Sequence, residues 1–299
     1  MSPPKYSIVI PHYNIPQLLQ RCLESIPMRE DIQIIVVDNN SSPENRMAAR
    51  AVCEQFPQVE YVQDEIGKGA GHARNIGLEH MNGEWLIFSD ADDFFYMPFW
   101  NQIDDYVNDG TVDIIYFRAT CVDSDTLKPS ERSMERWDRL IDNYIKNIKD
   151  AENELKFFHI GPVSKIFKTS FIREQTIRFD ETQTANDVMF CIYSGSRAKR
   201  IKAYYEIMYV ISSRSGSLTT LRDQNSMRCR YEVRLRRNSY LRSIHKSQYS
   251  SSFPSYFIRA WKMGGATEVI WYFKKMVEYK VNPFWGYGRI LCKKISNVL

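Results

Sequence analysis

The first ninety residues repeat one pattern: a short run of β-branched and aliphatic residues ends in polar residues, and a stretch with helical spacing follows. Tyr6 to Ile10 and Ile32 to Val37 read as strands, Val59 to Val62 as a weak third and Trp85 to Phe88 as a fourth. Between them, residues 15–26 place Leu18, Leu19, Cys22, Leu23 and Ile26 at helical spacing, and residues 43–56 and 70–81 are further helix candidates. Ser41 and Ser42 precede the second of these as caps. Parallel neighbours need a crossover connection, so this alternation predicts parallel βαβ units and an α/β sheet that binds nucleotides. The first strand is expected to stop at Pro11.

The fourth strand delivers Ser89-Asp90-Ala91-Asp92-Asp93. Open α/β sheets bind ligands at the carboxyl ends of their strands, which is where these carboxylates fall. Asp90 and Asp92 are two residues apart and share a side if the segment stays extended. Paired carboxylates suit Mn²⁺ or Mg²⁺, ions that commonly sit between protein carboxylates and substrate phosphates. The bland alternative is a solvated acidic turn. A glycine-rich stretch, Gly67-Lys68-Gly69-Ala70-Gly71, opens the third helix candidate, where backbone can approach a phosphate closely.

Across 299 residues, 43% hydrophobic and 25% charged content allow a sizeable core, in one large domain or two smaller ones. No run reaches the roughly 18 to 20 uncharged apolar residues that span a bilayer, and residues 1–6, with two prolines and no long apolar stretch, are not expected to act as a secretory signal. Six scattered cysteines without a Cys-x-x-Cys pair favour reduced thiols in a cytoplasmic protein. The net charge of +4 conceals an asymmetry. Residues 197–299 hold 21 Lys and Arg against 5 Asp and Glu, a net of +16; residues 1–196 hold 19 against 31, a net of −12. From Met227 onward the basic, aromatic sequence reads as helical, and residues 253–299 interleave Trp261, Trp271, Tyr272, Phe273, Phe284 and Trp285 with Lys and Arg. Such helices lie at anionic membrane surfaces or pack on a neighbouring domain.

After Asp93, residues 113–118 read as a strand, 135–153 as one polar helical stretch, and 165–172 as a strand running into a turn. His12, His72 and His159 stand apart from any Ser or Cys nucleophile, so each is expected to be a local hydrogen-bonding residue.

Four segments taken in order carry a family resemblance. They are Pro11-His12-Tyr13-Asn14, Asp38-Asn39-Asn40 after the second strand, Ala73-Arg74-Asn75-Ile76-Gly77, and Asp90-Ala91-Asp92. Together they resemble the nucleotide-binding half of family 2 inverting glycosyltransferases, whose signatures include Asp-x-Asp and Ala-Arg-Asn-x-Gly. The likeness is close over residues 5–95 and looser to about 220. It implies a GT-A fold over 1–220, with a nucleotide-sugar half (1–105) and an acceptor half (106–220), followed by a basic, aromatic helical region at 221–299. It also implies transfer of a sugar from a nucleotide-diphosphate sugar to a hydroxyl of a glycan or lipid-linked acceptor, with use in surface polysaccharide synthesis. The enzyme would work in the cytoplasm, or peripherally on the inner face of the cytoplasmic membrane.

By position, the resemblance assigns the divalent metal, Mn²⁺ or Mg²⁺, to Asp92 with Asp90. Donor binding goes to Pro11, Tyr13, Asp38, Asn39, Arg74, Asp90 and Ala91, with Tyr13 able to stack on a base. Further along, Gly161-Pro162-Val163-Ser164-Lys165 and Thr184-Ala185-Asn186-Asp187 resemble the family's acceptor side, which makes Asp187 the general base. Two departures stand out: Asn39 and Asn186 replace an aspartate and a glutamate common in the family. They leave open a catalytically inactive relative that binds sugar nucleotides. The +16 segment leaves open a nucleic-acid-binding protein, a reading that gives the carboxylates no role.

Overall fold

The computed structural model describes residues 3–130, 132–214 and 223–281, which fall into two units, 3–214 and 223–281. In the first unit, the near-continuous apolar runs become strands buried on both faces. They are β1 (Tyr6–His12), β2 (Ile32–Asn39), β3 (Val59–Asp64) and β4 (Trp85–Phe88), with β5 (Phe94–Phe95), β6 (Ile114–Asp123), β7 (Lys165–Lys168) and β8 (Ile201–Ser213) completing the set. The helices of this unit are α1 (Pro16–Glu24), α2 (Pro43–Cys53), α3 (Ala70–His80), α4 (Ile103–Tyr106), α5 (Glu135–Ile145), α6 (Ala151–Phe158), α7 (Thr169–Glu174) and α8 (Val188–Arg197).

Among the described residues, eight strands form one sheet in the order β3-β2-β1-β4-β7-β6-β8-β5. The βαβ expectation holds for β1 to β4, which run parallel. Strand β7 is antiparallel to both β4 and β6, so the sheet is mixed overall. Alternation puts Ile8, Ile34, Val36 and Ile87 on one face, and Val9, Ile35, Val37, Leu86 and Phe88 on the other. On the second face Phe88 meets Phe167, Phe179 and Phe190, with Phe179 and Phe190 stacked at 4.0 Å. These rings bind the later half of the unit to the fourth strand.

The chain builds outward from β1 through β2 to β3, then returns to place β4 on the other side of β1. That reversal opens a crevice beyond the carboxyl ends of β1 and β4, the place where doubly wound sheets take ligands. The turns that fill it are Tyr13–Asn14 and Ser89–Asp93.

Several elements differ from the sequence reading. Strand β1 runs through Pro11 to His12. Ser89 donates its N–H to the Val9 carbonyl at 3.1 Å, so Pro11, two residues on, faces the same side beyond the end of β4, where no strand asks for its missing N–H. The single helix expected over 135–153 is two, broken where Asn147 and Asp150 take left-handed dihedrals. The turn expected after Lys168 is the helix α7. Of the elements without any sequence expectation, the longest are the thirteen-residue β8 and the ten-residue α8. The first carries a polar, exposed middle and a register shift against β6, and the second contains Ser-Gly-Ser, so neither shows clean periodicity.

The second unit pairs α9 (Gln224–Ser243) with α10 (Pro254–Glu278), as the helical reading from Met227 expects. Asp223 caps α9 through the Ser226 N–H at 2.9 Å. Met227, Tyr231, Leu235, Tyr256, Ala260, Tyr272 and Met276 form its core. Within α10 the helix is interrupted at Gly264 and Gly265, the latter at φ +59°. Beyond that break, Arg228 and Gln224 hold the buried Glu268 carboxylate. Among the described residues no helix is long and apolar enough to cross a membrane. Phe284 and Trp285 lie outside the described residues.

Candidate active site

The carboxylate turn is fixed from below. Ser89 is wholly buried, and its hydroxyl lies between Cys22 Sγ (3.3 Å) and the Tyr209 hydroxyl (3.0 Å). Tyr209 also accepts the Asp90 N–H at 2.8 Å, and Asp93 N–H closes the turn on the Asp90 carbonyl. Arg21, from α1, donates to the carbonyls of Asp92 and Ser124 and to the Ser212 hydroxyl, each at 2.8 Å. Loop 124, the end of β8 and the carboxylate turn are therefore one assembly.

Oxygens of Asp90, Asp92 and Asp93 all lie within 4.8 Å of one another. Each has a different counterpart. Asp90 accepts from Arg74, Asp92 from Arg214 Nε at 2.9 Å, and Asp93 from the Ser212 N–H at 2.7 Å. Burial, followed by repulsion from Asp90, raises the Asp92 carboxyl above its ordinary 3.8 despite Arg214. Burial with its two neighbours drives Asp93 well above the usual carboxylate range. An oxygen-only cluster of three close carboxylates fits a hard divalent cation. Asp90 and Asp92 are partly open to solvent, whereas Asp93 is buried beneath them.

Arg74, on α3, is 5% exposed and bridges the two halves of the unit. One guanidinium nitrogen bonds Asp90, the other donates to Asn186 Oδ1 at 2.9 Å, and the group lies over the Phe179 ring. Asn186 thus holds the arginine by a neutral amide where the family commonly has a carboxylate. Beside it Asp187 occupies the N-cap position of α8, yet its side chain makes no capping hydrogen bond. Burial raises the Asp187 carboxyl above its ordinary 3.8, opposed by the positive charges of Arg74 and Lys165. Lys165 is itself buried, its ammonium on the His159 carbonyl at 2.6 Å and over the Tyr116 ring.

On the opposite wall, Tyr13 is 56% exposed at the mouth of the crevice and Pro11 is half-buried behind it. Asp38 is wholly buried: its carboxylate takes His12 Nδ1 and the Ser41 N–H, both at 2.9 Å. His12 Nε2 accepts the Ile15 N–H, which leaves Nδ1 to donate to Asp38. Burial opposes ionisation of Asp38, but these hydrogen bonds outweigh it and hold the carboxyl below its ordinary value. Asp38 thus shapes the wall from within. Asn39 Oδ1 accepts the Gly69 N–H at 2.9 Å and so positions the glycine-rich stretch. Ala91 is buried inside the carboxylate turn.

Gly71 meets a steric need. A Cβ there would lie 2.0 Å from the Asp180 carbonyl oxygen and 2.9 Å from Asn186 Cβ. The glycine lets α3 press against the loop that carries Asn186 and Asp187. His72, next to it, bonds Glu181 at 2.9 Å across the same contact.

The sequence reading names Arg74, Asp90, Asp92 and Asp187, and the fold brings them to one crevice. It does not name Arg21, Tyr209, Ser212 or Arg214. Arg214 follows the apolar run 207–211, so the strand-end rule that marks Asp90 also applies to it. Arg21 and Tyr209 carry no local signal, because their partners lie 71 and 119 residues away.

The model of the family described as Glycosyl transferase family 2 matches residues 7–173, more than half of the chain. A poly(ribitol-phosphate) beta-glucosyltransferase of Bacillus spizizenii is 26% identical over 216 residues, covering 69% of this chain and 32% of that protein. The chain spans about a third of the length of the first curated relatives it matches. Residues 1–349 of Staphylococcus aureus TarS, solved with UDP-GlcNAc, superpose with a TM-score of 0.62 at 17% identity over 92% of this chain and 73% of that one. A mannosyltransferase of Pyrobaculum calidifontis, solved with GDP-Man and Mn²⁺, gives a TM-score of 0.53 at 17% identity over 99% of this chain and 81% of that one. The sheet is that of the GT-A fold. With four ordered motifs gathered at the switch point of that sheet, and the family match running through them, the chain belongs to glycosyl transferase family 2.

Proposed function

We propose that the chain is an inverting glycosyltransferase that moves a sugar from a nucleotide-diphosphate sugar to a hydroxyl of a glycan or lipid-linked acceptor, in synthesis of a surface polymer. Arg74 carries the reading: it ties Asp90 to Asn186 and so keeps the strand-end carboxylates and Asp187 in one crevice. The likeness to a poly(ribitol-phosphate) glucosyltransferase and to enzymes solved with UDP-GlcNAc and GDP-Man supports the donor class and the polymer.

Asp92 and Asp90 would hold Mn²⁺ or Mg²⁺. Bound there, the ion supplies Lewis-acid stabilisation of charge on phosphoryl oxygens. The rest falls to side chains. Tyr13 offers its exposed face to the base, and Asn39, steadied by Gly69, borders the same wall. Asp187 takes the proton from the acceptor hydroxyl as that oxygen bonds the sugar's anomeric carbon opposite the departing diphosphate, which inverts the configuration. A positioned base of this kind is worth about 10²- to 10⁴-fold.

The test is purified protein with a panel of nucleotide sugars and Mn²⁺ or Mg²⁺, following both binding and nucleoside diphosphate release. One donor should be bound and turned over, and Asp187→Asn should keep binding while losing at least ~10²-fold in transfer. Binding without turnover would leave the inactive-relative reading in place. No binding to any nucleotide sugar overturns the proposal.

The second unit supports a place of action, the inner face of the cytoplasmic membrane. Ile258, Trp261, Ile270, Phe273 and Val277 on α10 are exposed, and Lys262, Lys274 and Lys280 are exposed among them. Apolar side chains bordered by cations suit the interface of an anionic bilayer, where a lipid-linked acceptor would also lie. The aromatic side chains that cannot share a face divide accordingly: Tyr272 is buried and Phe273 is exposed.

A further inference from the structure

Arg214 is held beside the carboxylates by the fold itself. Two residues before it, Ser212 donates its N–H to Asp93 at 2.7 Å and its hydroxyl oxygen accepts from Arg21 at 2.8 Å, and Arg21 also donates to the Asp92 carbonyl. The end of β8 therefore cannot drift from the turn, and the Arg214 guanidinium meets Asp92 Oδ2 at 2.9 Å with both groups partly exposed. Asp92 is the residue on which the metal assignment rests. A guanidinium and a divalent ion on the same carboxylate oxygen repel, so the two compete for Asp92. A displaced guanidinium stays tethered at the crevice, carrying a planar fork of donors that matches phosphate oxygens. The anion that accompanies the ion in the reading above is the donor's diphosphate.

We propose that Arg214 is a diphosphate-binding residue that pairs with Asp92 when no donor is present and passes to the donor's diphosphate when a divalent cation takes Asp92. The proposal rests on the nucleotide-sugar reading of the site. It gives Arg214 two effects of opposite sign: it weakens binding of the ion alone and strengthens binding of the diphosphate with the ion. A residue that merely braced the turn would weaken both when removed.

The experiment compares the full chain with Arg214→Gln and Arg214→Lys, each checked by its melting temperature. Calorimetry first measures Mn²⁺ alone, then inorganic pyrophosphate, UDP and GDP at saturating Mn²⁺. In Arg214→Gln, Mn²⁺ alone should bind roughly threefold or more tightly, and the diphosphate bound by the unaltered chain should bind roughly tenfold or more weakly. Arg214→Lys, which keeps the charge without the fork, should fall between on the diphosphate. If Arg214→Gln does not fold, the lysine variant carries the comparison, with diphosphate binding weaker than in the unaltered chain and Mn²⁺ binding not weaker. Unchanged diphosphate affinity in the variants, or weaker Mn²⁺ binding, overturns the proposal. If the unaltered chain binds Mn²⁺ yet neither pyrophosphate, UDP nor GDP, the donor reading itself fails and takes this inference with it.

Discussion

Three carboxylates whose oxygens lie within 4.8 Å repel one another, and their neighbours set three different fates. Asp90 is held by Arg74, Asp92 by Arg214, and Asp93 is buried on a backbone N–H. Of the three, Asp92 carries the metal assignment, which predicts that Asp92→Asn loses the Mn²⁺-dependent part of its affinity for a nucleoside diphosphate. Calorimetry with and without Mn²⁺ decides it, and an unchanged metal effect would move the assignment elsewhere. Asp187 yields a prediction in pH. It acts as a base only when ionised, and burial raises its carboxyl above 3.8. The acid limb of kcat/KM should therefore lie above the range of an ordinary aspartate, with activity rising as pH increases through it. A profile flat down to pH 4 would assign proton removal to another group.

At the scale of elements, α3 and the loop before α8 meet closely enough to exclude a methyl group. A Cβ on Gly71 would lie 2.0 Å from the Asp180 oxygen. Gly71→Ala should cost about 1–3 kcal/mol in stability, as overpacking commonly does. It should also displace Asp187 and lower transfer more than donor binding, since the donor wall of Tyr13 and Asn39 lies on other elements. Equal melting temperatures and rates would mean the loop yields freely. The end of α6 predicts a pH effect on stability. His159 has no exposed surface, lies tilted against Trp137 at 4.0 Å, and is edge-on to Tyr116 with Lys165 close by. Burial, then the Lys165 charge, push its pKa well below 6.5. In the window between that lowered value and 6.5 the unfolded chain binds a proton that the folded chain refuses. Stability is thus complete above 6.5 and is lost as pH falls below it, by about 1.4 kcal/mol per unit while the folded ring stays neutral. Denaturant titrations from pH 7 to 5 should show this slope, and His159→Phe should flatten it. An equal slope in the variant would place the titrating group elsewhere.

For the whole molecule, charge follows the two units: residues 1–214 hold 24 Lys and Arg against 32 Asp and Glu, a net of −8, and residues 215–299 hold 16 against 4, a net of +12, where α10 also exposes apolar side chains. Flotation with liposomes of anionic lipid should carry the full chain upward at low salt, and Ile270→Glu with Phe273→Glu should leave it in the soluble fraction. If neither floats, the membrane role fails and the exposed face has another use. Much of the catalytic unit was legible in the linear chain. Strands β1 to β4 and helices α1 to α3 are each specified by residues within ten or so of one another, because strand and helix periods are local properties. The ends of those strands also announced Asp90 and Asp92, since a buried strand has little reason to finish in carboxylates other than to present them. What the tertiary structure alone decided is which charges meet. Arg74 joins Asn186 across 112 positions, Arg21 reaches Asp92 across 71 and Arg214 reaches it across 122. Such pairings are set by strand order and by the reversal between β1 and β4, and they leave no trace in local spacing. Sequence determined which residues stand at the edge of the sheet; only the assembled sheet determined that Asp38 is sealed inside the wall, that Gly71 makes room for a loop, and that Asp92 is met by an arginine.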